Sequence, residues 1–200
     1  MASSTTDDFF HPYVGLPLRY IYKIRPHMSG SHLDFGCGDG KLTGLMAKAI
    51  PEARVTGYDI SDKVIEKAKT IHKKKQVEFY SDPDFLSSAP RYDSVSLNFV
   101  FHETGYGIIP QVSSLIRDQG KVFILDFDMK HIADLTEFES VFITPKDKKE
   151  IDDKGLIGAF LEYTAHGLED CKYQATLFGL RTINVHSFYD KYFLWIGEKQ

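Results

Sequence analysis

Between His32 and Phe127, short apolar runs and stretches of helical spacing take turns, and this alternation narrows the possible folds more than any other feature. The β-like runs are His32–Phe35, Arg54–Asp59, Val77–Tyr80, Tyr92–Phe99 and Lys121–Phe127. Helical patterns fill most of the gaps: Lys41–Ile50, stopped by Pro51; Asp62–Lys73; and Ile108–Arg117, stopped by Gly120. Ser61 stands as N-cap of the second, with Val64, Ala68 and Ile71 as its apolar stripe. The third connection, Ser81–Pro90, has room for a turn or two of helix only. Strands that are apolar nearly throughout, separated by helices, predict an α/β three-layer sandwich with a parallel sheet covered on both faces.

The C-terminus breaks the rhythm. After a helix at Leu168–Leu177, ended by Gly179, come Thr182–Ser187 and Lys191–Gly197, with only about three residues between them. That gap admits a hairpin but not a parallel crossover, which needs roughly a dozen residues or more. The segment YFLWI (192–196) is apolar at every position and reads as a central strand buried on both faces. The sheet is therefore expected to hold one antiparallel strand among parallel neighbours.

The chain of 200 residues reads as one domain without internal repeats. Residues 1–29 form an N-terminal arm and helix, the arm frayed over 1–8 and the helix carried by Leu16, Tyr20 and Ile24 after Pro17. Residues 30–127 form the core and 166–200 the last helix and hairpin. Residues 128–165 hold an amphipathic helix in HIADLTEFESVF and a charged connection in TPKDKKEIDDKG. A long excursion beyond the carboxyl end of the fifth strand sits where open α/β sheets bind ligands, so it is expected to be a lid or substrate wall.

The turn LDFGCGDGKL (33–42) joins the first strand to the first long helix. Glycines at alternate positions before a helix N-terminus suit a ligand that approaches the backbone closely. The dinucleotide fingerprint G-x-G-x-x-G fails once, at Lys41; the P-loop pattern fails twice, at Phe35 and Leu42. Asp34 and Asp39 weigh against a pyrophosphate: a carboxylate about 5 Å from a phosphate costs about 3 kcal/mol at an effective dielectric near 20. An amino-acid headgroup suits both acids and helix terminus. Asp59, nineteen residues after Gly40, ends the second strand in VTGYDIS and is placed to hold both hydroxyls of a ribose.

LDFGCGDGKL followed by GYDIS resembles motifs I and II of the class I S-adenosylmethionine-dependent methyltransferases, and the C-terminal hairpin matches that family as well. The resemblance covers residues 30–127 and 166–198. It implies a seven-stranded, mostly parallel sheet of order 3-2-1-4-5-7-6 and S-adenosylmethionine as cofactor. By position, Gly36, Gly38 and Gly40 line the methionine and ribose, and Asp34 lies near the ammonium group. Asp59 and Ile60 contact the ribose side, Asp82 and Pro83 the adenine, and Asn98 and Phe99 the region of the reactive methyl. An NAD-dependent oxidoreductase shares only the glycine turn and Asp59, and a non-catalytic cofactor-binding protein shares all of it.

Methyl transfer from a sulfonium requires alignment and exclusion of water more than acid–base chemistry, and no metal is implied. Where a base is used, His102 is the candidate, with Glu103 beside it; packing under the cofactor is its alternative role. The sequence Asn98-Phe99-Val100-Phe101 lacks the Asn/Asp-Pro-Pro-Tyr/Phe motif of family members that methylate amines of bases. That absence, with a net charge of −4, points to a small-molecule acceptor and away from nucleic acid. The lysines at 73–75 and at 146, 148 and 149 read as solvated helix ends or connections. Phe9, Phe10, Tyr13, Tyr106, Phe138 and Phe142 can line a pocket or serve as core. Two distant cysteines, no signal sequence and no apolar run of about 18 residues lead to the expectation of a cytoplasmic chain with no membrane partner.

Overall fold

The computed structural model describes residues 15–73, 77–141 and 145–200. Helix α1 (Leu16–Ile24) leads into β1 (Gly30–Phe35), α2 (Lys41–Ala49), β2 (Ala53–Tyr58), α3 (Asp62–Ile71) and β3 (Glu78–Tyr80). A short α4 (Pro83–Ser88) precedes β4 (Tyr92–Asn98), and α5 (Phe101–Thr104) and α6 (Ile108–Leu115) precede β5 (Ile116–Phe127). The excursion consists of α7 (Leu135–Val141), α8 (Pro145–Lys154) and α9 (Leu156–Ala165), and α10 (Leu168–Leu177), β6 (Leu180–Phe188) and β7 (Tyr192–Lys199) close the chain.

The strands form one sheet of order β3-β2-β1-β4-β5-β7-β6, parallel from β3 to β5. β7 lies antiparallel between β5 and β6, as the short gap before YFLWI requires. The period-2 geometry of strands divides the core into two faces. Phe123, Leu125 and Phe127 of β5, with Leu194 and Ile196 of β7, face α1, α2 and the excursion. Val122 and Ile124, with Phe193 and Trp195, face α6 and α10.

Three local expectations change. Helix α6 ends at Leu115 rather than Arg117, because Ile116 turns extended and pairs with Tyr92 to begin β5 early. The charged stretch after position 144 is helical: a proline opens α8 and Lys149 pairs with Asp153 one turn on, at 3.0 Å. Ser61 occupies the N-cap position of α3 but makes no capping bond; its own N–H donates to Asp59. The expected frayed arm, with Phe9, Phe10 and Tyr13, lies outside the described residues, as do Lys74, Lys75, Phe142 and the side chain of Tyr106.

Candidate cofactor and acceptor site

The glycine turn is built by backbone. Gly36 and Cys37 donate N–H bonds of 2.7 and 2.9 Å to the Tyr58 carbonyl, pinning the turn across the end of β2. Gly36, Gly38 and Gly40 all have positive φ, at 75°, 53° and 72°, where a side chain is strained. Their surroundings differ. A Cβ at Gly36 would stand 2.3 Å from Val100 and one at Gly40 2.5 Å from the Phe79 ring, whereas one at Gly38 meets nothing within 4 Å. Gly36 and Gly40 are glycine for the chain's own packing; Gly38 alone of the three faces open space.

Asp59 ties the turn to the second strand. Its Oδ2 accepts from the Gly38 N–H at 2.9 Å and its Oδ1 from the Ser61 N–H at 3.0 Å. Each oxygen keeps a lone pair, so the carboxylate stands beside the open face of Gly38 with acceptor capacity left. Ile60, next to it, is 80% exposed. Asp82 and Pro83 begin α4: Asp82 Oδ1 caps the helix by accepting from the Asp84 N–H at 2.9 Å, and both residues are exposed.

Asp34, expected near an ammonium group, is enclosed by the chain's own side chains. It is wholly buried, accepting from Thr43 Oγ1 at 2.6 Å, Ser96 Oγ at 2.8 Å and Asn98 Nδ2 at 2.8 Å. Burial raises its carboxyl pKa, and these three donors offset part of the rise. Asn98 Oδ1 is itself buried without a hydrogen-bond partner among the described residues. The buried Tyr20 hydroxyl lies close to the Asn98 and Ser96 side chains at the same depth. Asp39 is also taken, by Lys67 Nζ at 2.9 Å. Asp34 is thus held inside by neutral donors and Asp39 by a lysine, which leaves Gly38 and Asp59 as the open groups of the turn.

β4 ends in strain. Phe99 has φ 60°, rare for a bulky side chain, and packs against Phe127 and Tyr192. Just beyond it His102 meets a partner that the sequence reading missed: its Nδ1 lies 2.7 Å from Asp126 Oδ1, near the end of β5. Asp126 is fully buried and also accepts the N–H groups of Phe101 and Phe127, at 2.7 Å each, and of His102 at 3.2 Å. With the carboxylate ionised and the ring neutral, Nδ1 carries the proton and Nε2 is the basic nitrogen. Glu103 is not the orienting group; its Oε1 lies 3.7 Å from Nε2, on the other side of the ring.

The excursion closes over this pair. Tyr163 of α9 stacks on His102 with ring centroids 4.8 Å apart, leaving the imidazole 5% exposed. A donor atom from each of His102, Glu103 and Glu162 lies within 4.8 Å of the others, a set of metal-ligating types. Both oxygens of Glu162, however, accept from Lys154 Nζ, at 2.8 and 2.9 Å. Phe138 belongs to the buried core and lines no open space.

A family model described as a methyltransferase domain matches residues 33–122, the span from the glycine turn into β5. Over that span the chain is similar to methyltransferases, and its sheet has the class I methyltransferase fold. Among solved structures with this methyltransferase fold, the plantazolicin methyltransferase BpumL in complex with SAH has a TM-score of 0.67 at 16% identity, over 96% of this chain and 85% of that one. Two curated relatives match part of the chain. The ribosomal RNA small subunit methyltransferase C of Erwinia tasmaniensis is 29% identical over 96 residues, 47% of this chain and 28% of that protein. The malonyl-[acyl-carrier protein] O-methyltransferase of Acetivibrio thermocellus is 31% identical over 126 residues, 61% and 43% of the two lengths. The chain thus spans less than half the length of each of these two relatives.

These relatives overturn the expectation that nucleic acid is no partner for such a chain, since ribosomal RNA methyltransferases stand first among them. The physical reason is that a net charge of −4 is a sum over the whole surface and says nothing of any one face. The missing proline motif bears on one way of presenting an amine, not on nucleic acid as a class. Among the described residues, no helix is long and apolar enough to cross a membrane.

Proposed function

We propose that the chain binds S-adenosylmethionine in the Gly38–Asp59–Asn98 cradle and catalyses transfer of its methyl group to an acceptor whose nucleophile carries a proton. The observation that carries this reading is the open face of Gly38 set against a carboxylate with acceptor capacity to spare. S-adenosylmethionine supplies a methyl already activated by its sulfonium. Asp59 accepts from the ribose hydroxyls, the exposed Ile60 covers an apolar ring face, and Asn98 Oδ1 accepts from the ammonium. Asp126 holds His102 in the tautomer whose Nε2 takes the acceptor's proton. The acceptors named by the curated relatives, ribosomal RNA and a malonyl group on a carrier protein, support both a nucleic acid and a smaller acyl acceptor.

The burial of His102 under Tyr163 favours a second reading, in which the imidazole braces the end of β4 and takes no proton. Calorimetric titration with S-adenosylhomocysteine tests the cradle. Binding is expected in the wild type and at least tenfold weaker in Asp59→Ala, which loses charge-assisted bonds of about 1.5–3 kcal/mol each. No heat with the wild type refutes the proposal. Labelled methyl transfer into separated RNA and small-molecule fractions then distinguishes the readings. Transfer that survives in His102→Gln assigns His102 to bracing.

A further inference from the structure

The face formed by α1, the turn after it and β6 differs in charge from the rest of the chain. From Gly15 to Leu33 there is no acidic residue, and none from Leu180 to Tyr189, in a chain with 28 acids and 24 Lys and Arg. Arg19, Lys23 and Arg25 make no ion pair among the described residues. His186 of β6 lies close enough to Lys23 and His27 that both, after burial itself, hold its pKa down, the mark of a locally positive field. On the hairpin, Asp190 follows Tyr189 and is the first acid after this stretch.

The same face is apolar and concave. Leu18 is 69% exposed and Tyr22 75%, one turn apart on α1. With Arg19, Lys23 and Phe188 they line a groove of about 380 Å³. Lys23 Nζ lies over the Tyr22 ring at 5.9 Å, and the Arg19 guanidinium over that of Tyr189 at 5.5 Å, so cations and rings are interleaved. Tyr189 follows Phe188 at the hairpin tip, beside the start of β7 where Tyr192 meets Phe99. The groove therefore opens near the carboxyl end of the sheet, on the side of the candidate acceptor site.

We propose that this groove binds single-stranded RNA, with phosphates on Arg19, Lys23 and Arg25 and a base stacked on Tyr22. Charge complementarity selects a polyanion, and an exposed ring between cations selects one with unpaired planar bases. Arg19 and Lys23 stand about 5–6 Å apart at Cβ, so their side chains reach neighbouring phosphates. RNA is the source of unpaired strands in its loops and bulges, whereas DNA is mostly duplex. The proposal is independent of the methyl-transfer reading, because none of these side chains belongs to the cradle.

The test is fluorescence anisotropy of a labelled unstructured RNA dodecamer titrated with the full chain at 50 and 200 mM salt. Three neutralised phosphates predict about twentyfold weaker binding at the higher salt, from a slope of about 0.7 per phosphate. In Arg19→Ala/Lys23→Ala the salt effect is expected to shrink to about threefold. In Tyr22→Ala the affinity is expected to fall about tenfold with the wild-type salt dependence. All these variants should retain wild-type binding of S-adenosylhomocysteine and wild-type melting, which separates this surface from the cradle. RNA binding that is unchanged in both variants, or absent in the wild type, overturns the proposal. So does equal or tighter binding of a duplex, of single-stranded DNA, or of phosphatidylserine-containing vesicles.

Discussion

At the scale of single residues, three glycines that look equivalent in sequence have different tasks, and substitution separates them. Gly40→Ala adds a left-handed strain of about 1–2 kcal/mol to an overlap with Phe79 that costs about 1–3 kcal/mol. Gly38→Ala adds only the strain, because its Cβ meets no protein atom. Urea unfolding should place Gly40→Ala about 2–5 kcal/mol below wild type and Gly38→Ala only about 1–2 kcal/mol below it. Calorimetry should show the reverse order for loss of S-adenosylhomocysteine binding when corrected for the folded fraction. Equal effects on stability would show that Gly38 also packs against the chain. Spacing alone put these glycines and Asp59 just past the ends of β1 and β2, where they meet, since a strand–turn–helix leaves little freedom. It did not show that Asp34 is buried, because alternation along β1 and the depth of β4 decide whether a strand-end acid faces outward or into the sheet. Asp126 was missed for a related reason: its partner His102 is distant in sequence, and nothing local marks the pair.

At the scale of elements, the sheet and its flanking helices were legible because apolar periodicity records which face is buried. Of the excursion only α7, within HIADLTEFESVF, was. Helix α8 has almost no apolar stripe to announce it, and α9 is apolar nearly all round, with Ile157 and Leu161 exposed at 63% and 61%. Such segments are read only once their packing is known, and that packing makes α9 a cover for the His102–Asp126 pair. Tyr163 is buried, stacks on His102 and meets Phe127 edge-on at 4.7 Å. Tyr163→Ala should lower stability by about 3 kcal/mol, as large-to-small changes at buried rings do. It should also open His102 to diethyl pyrocarbonate, measured as faster modification of that residue by peptide mass spectrometry. An unchanged rate with lowered stability would mean that other atoms cover the imidazole.

At the scale of the whole molecule, a polar seam crosses the core beneath the cradle, and it couples stability to pH. His32 is fully buried between Ser94 Oγ at 2.8 Å and Ser96 Oγ at 3.0 Å, and Ser96 continues the seam to Asp34. Burial pushes the His32 pKa down from 6.5 to about 3. Below 6.5 the unfolded chain takes up a proton that the folded chain refuses. The stability contributed by neutral His32 is therefore complete above that pH and is lost as pH falls toward 3, at up to about 1.4 kcal/mol per pH unit. Asp34 acts in the opposite sense. Its pKa is raised, so its protonated form favours the fold at low pH, and that gain disappears as pH rises above the ordinary carboxylate value. The two groups oppose each other at the acid end, so His32 must be isolated by difference. Urea unfolding from pH 6.5 to 5 should cost the wild type about 2 kcal/mol more than His32→Gln over the same interval. Imidazole nitrogen shifts in the folded wild type should meanwhile report a neutral ring at pH 5. Parallel slopes in the two proteins, or a protonated His32 at pH 5, would remove the seam as a source of acid sensitivity.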